Sequence, residues 1–161
     1  MAIITSSTLG VDLNNYSTAA LFAKGTAVLG TDGSLWEYVN ALSAIAAGAV
    51  VGIDRANDAS NMSTTLASSV KRVGVAQISI AVSTYGWVQR SGKMQVKVLA
   101  SCAADVLLFT TSTVGELDDA TISAAVVMGL NLVKSTASGQ ATIATAIAGT
   151  PLFISFWANP A

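Results

Sequence analysis

From Ile122 to Leu132 every second residue is apolar: Ile122, Ala124, Val126, Met128, Leu130 and Leu132. A period of two places all six on one side of an extended chain, whereas a helix would scatter them around its axis. The segment "KRVGVAQISIAV", residues 71–82, also alternates and is rich in β-branched side chains, so it predicts a second strand. Short runs of this kind, separated by Gly, Ser and Asp, predict an all-β fold: a small β-barrel or sandwich of short antiparallel strands. The 161 residues suffice for one domain with a real core. No internal repeat of fixed period stands out.

The expected division is an extended N-terminal arm over residues 1–24 and a single β-rich domain over 25–161. The arm is Ser, Thr and Asn punctuated by single large apolar residues, Leu9, Leu13, Tyr16, Leu21 and Phe22, without a clear period. Such a segment orders by lying on something else, or it is an ordinary frayed terminus. Asp32-Gly33 is a strong hairpin signal, because a type I′ turn needs positive φ at both central residues. That turn would pair Leu29 with Trp36 and Ala27 with Tyr38, with all four on one face. Val50-Val51-Gly52-Ile53 reads as a buried strand, against a competing short helix over 39–47. Residues 54–65 read as a loop by composition. Within "YGWVQRSGKMQVKV", residues 85–98, Ser91-Gly92 suggests another tight turn. In that register Tyr85, Trp87, Met94, Val96 and Val98 share one face, and Arg90, Lys93, Gln95 and Lys97 share the other. Residues 115–119 read as a turn. A loop near Ser138-Gly139 precedes one or two closing strands, with Leu152, Ile154 and Phe156 on one face.

Charge narrows the function classes. Charged residues make up 11% of the chain and apolar ones 52%, and the net charge is −1; an average soluble chain is roughly 25% charged. No global field draws this chain to nucleic acid or to a membrane. The apolar run 41–53 is shorter than the roughly 20 residues of a membrane helix, and no basic residue precedes the first apolar patch, as a secretory signal requires. With so few charges, either much of the surface is covered by other subunits or a Ser/Thr-rich exterior keeps the domain soluble. Separating rings from cations on the 85–98 ribbon disfavours single-strand binding, which needs both on one surface.

The inventory for chemistry is thin. The chain has no His and one Cys, so the common triads and most zinc sites are excluded, and no nucleotide or calcium loop is present. No cofactor and no enzymatic role are expected. Cys102, in "VLASCAADVLLF", reads as a buried structural thiol. Glu116, Asp118 and Asp119 form the one acidic cluster, which suits a cation, a carboxylate pair or simply a solvated turn. Lys71-Arg72 suits a phosphate or a solvated strand start. Residues 59–104 carry Lys71, Arg72, Arg90, Lys93 and Lys97 and no acid, while 105–119 carry four acids and no base. These opposite patches could meet head-to-tail between subunits, or pair within one.

The segments "FAKGTAVLGTDGSLWEYVNA", "AGAVVGID", "RVGVAQ", "YGWVQRSGKMQVKV" and "LLFTTSTVGELDDA" resemble, in that order, small structural proteins of tailed bacteriophages, in particular the capsid decoration or cement proteins. The likeness covers most of residues 22–133 and involves no catalytic motif. It implies a structural protein on the outer surface of the virion capsid, made in the host cytoplasm, often a homotrimer, which joins neighbouring major capsid proteins and stabilises the head. Contact residues are then expected among Lys71, Arg72, Arg90, Lys93, Lys97, Glu116, Asp118 and Asp119, and among Leu9, Leu13 and Tyr16 of the arm. A head-fibre, neck or tail component is the nearest alternative. A carbohydrate-binding β module, stacking sugars on Trp36, Trp87 or Trp157, is the alternative of another class.

Overall fold

The computed structural model describes residues 10–70, 72–120, 125–138 and 142–155. Its elements in chain order are β1 (Ala27–Leu29), β2 (Leu35–Ala41), β3 (Val50–Ile53), β4 (Asp58–Asn61), α1 (Thr64–Ala67), β5 (Arg72–Ala76), β6 (Tyr85–Val98), β7 (Leu108–Thr110), β8 (Leu117–Asp118), β9 (Val126–Leu132) and β10 (Thr142–Ser155). The protein is all-β, with its strands in one mixed sheet.

That sheet closes on itself twice. β2 runs parallel to β4, β4 pairs β3, β3 pairs β5, β5 pairs β6, and β6 returns to β2. The second half of β6 then starts another circuit: it runs parallel to β8, β8 pairs β7, β7 pairs β9, β9 pairs β10, and β10 returns to β6. In both rings the first strand lies parallel to the third. The second strand pairs the third and fourth, and the fifth pairs the fourth and first. The connectivity is therefore duplicated although no repeat is evident in the residues. Closure leaves few free edges, and free edges are what make sheets stick to one another. A further pairing, Phe153 with Arg72, ties β10 to β5.

β6 is one continuous strand because Ser91-Gly92 does not turn. Gly92 has φ +96°, and a Cβ there would lie 2.8 Å from the Cβ of Ser34. Gln89 Nε2 donates to the carbonyls of Ser91 and Lys93, and the β2–β6 register shifts at this point. The dipeptide is a bulge that passes the strand from one ring to the next. The expected single aromatic-aliphatic face accordingly splits. Val88 packs in the first ring, Trp87 packs outside it, and Met94, Val96 and Val98 fill the second ring. Lys93, Gln95 and Lys97 do alternate with those three, as expected, but Arg90 is buried.

The β1–β2 hairpin also differs by one residue. Gly30 N donates to Ser34 O and Gly33 N to Gly30 O, which closes a loop over Thr31-Asp32-Gly33 with Gly33 at φ +79°. This loop with a left-handed Gly replaces the two-residue turn. Val28 pairs Trp36 and Leu29 pairs Leu35, so Leu29 turns outward while Val28 and Trp36 are buried. A shift of one residue reverses every side chain on the strand.

Elsewhere, no helix forms over 39–47; β2 continues to Ala41. Residues 54–65 are not a simple loop. They contain β4, held between β2 and β3, and the start of α1, whose N-cap Ser63 accepts from Leu66 N. Residues 115–119 include β8. In β9 the strict alternation breaks at Gly129, with φ +89°, so Val127 is buried together with Val126, Leu130 and Leu132. The closing segment is one strand, β10, and Leu152 and Ile154 are buried on it. Ile122, Ala124, Phe156 and Trp157 lie outside the described residues.

Three apolar clusters fill this frame. The first ring holds Val39, Ala41, Val51, Ile53, Ala59, Ala76 and Val88. A larger cluster fills the second ring and extends over the other faces of β3 and β5, through Val50, Val73 and Val75. β3 and β5 thus have both faces buried, which explains the unbroken apolar run of Val50–Ile53. The third cluster lies outside the first ring, where Val11, Leu13 and Val28 cover Trp36, Tyr38 and Trp87.

Candidate functional site

The third cluster shapes a cleft. Residues 10–24 do not project from the domain as an arm. Ser17 and Tyr85 exchange backbone hydrogen bonds of 2.8 Å, Leu21 N donates to the Tyr38 hydroxyl, and Lys24 pairs with Asp58 at 2.6 Å. Phe22 stands edge-on to Tyr38 and Trp87, and Tyr85 stacks on Tyr38 at 6.1 Å. Between this segment and the sheet lies a cleft of about 420 Å³, lined by Asp12, Asn15, Tyr16, Leu21, Tyr85 and Trp87 among others. Among the described residues of the lining Asp12 is the one carboxylate, and no Lys or Arg contributes. Packing of a hydroxyl- and amide-rich segment against aromatic rings leaves an apolar floor with a polar rim, a combination that binds either a sugar face or a protein side chain.

The expected contact residues fall into three groups. Leu13 and Arg90 are committed inside the chain, at 1% and 8% exposure, and offer no surface to a partner. Tyr16 and Lys93 are exposed, and Lys97, Arg72, Glu116, Asp118 and Asp119 reach solvent in part. Leu9 and Lys71 lie outside the described residues. The basic and acidic patches are not at opposite ends. Val98 pairs Leu117 in parallel, which sets Lys97 of β6 near Glu116, the residue that precedes β8.

Arg72 and Arg90 share one carboxylate, Glu37, which neither patch contains. Arg72 Nη1 and Arg90 Nη1 donate to its two oxygens, Arg72 also donates to Asn57 Oδ1 at 2.8 Å and to the Asp54 carbonyl, and Arg90 Nη2 donates to Leu152 O at 3.0 Å. The group joins β2, β5, β6 and β10. Charges that bury themselves must be paired, and a lone Glu within "SLWEYVNA" was the signal that could have located it. It is a structural pin across four strands.

Cys102, Asp118 and Asp119 bring their ligand atoms within 4.8 Å of one another. Burial, helped by the hydrogen bond to Asp118, pushes the Cys102 thiol up to about 11, so the sulfur is protonated at neutral pH. It donates to Leu99 O at 3.3 Å and lies 3.5 Å from Asp118 Oδ1, while Asp119 Oδ2 accepts from Ala103 N at 2.8 Å. These bonds pin the loop that follows β6. A protonated thiol is a poor cation ligand, and the arrangement fits the structural role expected for Cys102.

Trp36 and Trp87 are 1% and 2% exposed, so neither offers a flat platform for a sugar; Trp36 Nε1 is further held by Ser34 Oγ at 2.7 Å. No family model, curated protein or solved structure matches this chain.

Proposed function

We propose that this chain is a structural virion protein, a decoration or cement protein that binds the outside of a tailed-phage head across junctions of the major capsid protein, and that it works as a homo-oligomer, a trimer in the simplest case. What supports this reading, beside the sequence resemblance, is the contrast between frame and exterior. The frame is closed, hydrogen-bonded and braced by a buried ion pair group. The exterior leaves large apolar side chains about half exposed, including Leu21, Leu42, Val82, Val114, Ile147 and Phe153. Exposed apolar side chains that share a face, as Ile143 and Ile147 do on β10, favour contact with another protein. Shape and burial supply the adhesion, and repeated copies on a head add avidity.

The test is to mix the purified chain with preformed empty heads and heat them. Bound chain and a higher temperature of head disruption are expected. Heads that neither retain the chain nor gain resistance to heat would overturn the proposal. A glycan titration that changes tryptophan emission, with no effect on heads, would favour the carbohydrate-binding alternative, for which the aromatic cleft is the supporting feature.

A further inference from the structure

The duplicated connectivity allows the two rings to be compared face by face. In the first ring, the outer face of the closing pair β2–β6 carries Tyr38 opposite Trp87, and residues 10–29 cover it. The matching pair in the second ring is β6–β10, with Lys97 opposite Ile143, Gln95 opposite Thr145 and Lys93 opposite Ile147. Gly48 lies against Lys97 and Ile143 at one end of that face, and the stretch around Lys93 and Ile147 is open among the described residues. Ile143 and Ile147 are 48% and 50% exposed, and neither Lys93 nor Lys97 is in an ion pair among the described residues. One ring is capped, and among the described residues its counterpart is largely open.

The cap of the first ring has the complementary character. Its cleft presents Tyr16 and Leu21 at the surface over Tyr85 and Trp87, with Asp12 as the only charge in the lining among the described residues. An apolar stripe flanked by two cations suits an aromatic cleft edged by one acid. The lysine stems pack on the rings while their ammonium groups reach the carboxylate and the ring faces. Cleft and stripe belong to different rings of one continuous sheet, so they meet only between copies.

We propose that the open β6–β10 face of one copy docks into the cleft beneath residues 10–22 of a second copy. The contact is head-to-tail, and it closes into a ring if each step rotates by an integral fraction of a turn. This deepens the self-assembly part of the function proposed above and rests on that part; binding to heads is a separate matter.

Sedimentation velocity across a concentration series reads the contact directly. Lys93→Asp with Lys97→Asp is expected to weaken self-association about tenfold or more, as reversal of close interfacial charges does. Ile147→Asp and Leu21→Asp are expected to do the same, and Asp12→Lys likewise. The chain carrying Asp12→Lys together with Lys93→Asp and Lys97→Asp restores complementarity and is expected to recover association. Thr65→Asp, at an exposed position of α1, is expected to leave it unchanged. Unchanged circular dichroism in each variant separates lost contact from lost fold. A wild-type chain that stays monomeric overturns both the contact and the self-assembly. A wild-type oligomer indifferent to these substitutions, or equally sensitive to Thr65→Asp, overturns this contact alone. Head binding measured on the same variants reports on the capsid reading independently.

Discussion

Cys102 shows how a single position couples burial to pH. Its thiol titrates near 9.0 when exposed and is pushed up to about 11 in the fold, chiefly by burial. The unfolded chain therefore releases this proton first. The stability associated with the neutral thiol is fully present below pH 9 and is lost as pH rises from there towards 11. The thermal midpoint of the wild type is expected to fall more steeply across that window than that of Cys102→Ala, with the two curves parallel below it. At pH 8 the thiol is expected to react with iodoacetamide only as fast as the protein opens. That residue could be read from sequence, because a lone Cys among apolar neighbours is usually buried. The partners that hold it, Leu99, Asp118 and Asp119, come from other segments and could not.

At the scale of elements, the segment 10–24 changes most between sequence and structure. As an arm it should be removable; as the cap of the first ring it is part of the core. Leu13 is 1% exposed beside Trp36, Tyr38 and Trp87. Leu13→Ala is expected to cost about 2–5 kcal/mol in denaturant unfolding, the usual range for a buried leucine. Deleting residues 1–22 removes Val11, Leu13 and Phe22 together and is expected to lower the midpoint further and unmask Trp87 emission. A deletion that folds with wild-type stability would return the segment to the status of an arm. The strands were legible wherever one face is buried and the other wet, as at Met94, Val96 and Val98, which alternate with Lys93, Gln95 and Lys97. They were misread at Asp32-Gly33 and Ser91-Gly92. Glycine licenses a positive φ at both places but does not say whether the result is a turn, a loop with one extra residue or a bulge.

For the whole molecule the pin at Glu37 matters most. Its carboxylate takes Arg72 from β5 and Arg90 from β6, and Arg90 reaches on to the Leu152 carbonyl of β10, so one group holds both rings. Replacing Glu37 by Ala strands Arg90 as a buried unpaired charge. The expected cost is about 3–5 kcal/mol by urea titration. Because the rings share β6 and this pin, unfolding is expected to remain one transition. Two resolved transitions in the variant would show that the rings are held together only through Glu37.

What the residues determined alone is the class of fold and its economy: period-two patterning and frequent turn formers allow little besides short strands, and the absence of His with a single Cys narrows the chemistry. These are local properties, carried by each segment independently of its neighbours. Which strands pair, that the same connection is made twice, that residues 10–24 cap a ring, and that two arginines from separate strands meet Glu37 were decided only by the tertiary structure. Each depends on contacts between residues far apart in the chain, and a pattern of apolar and polar positions leaves the partner on the other side of the contact unspecified.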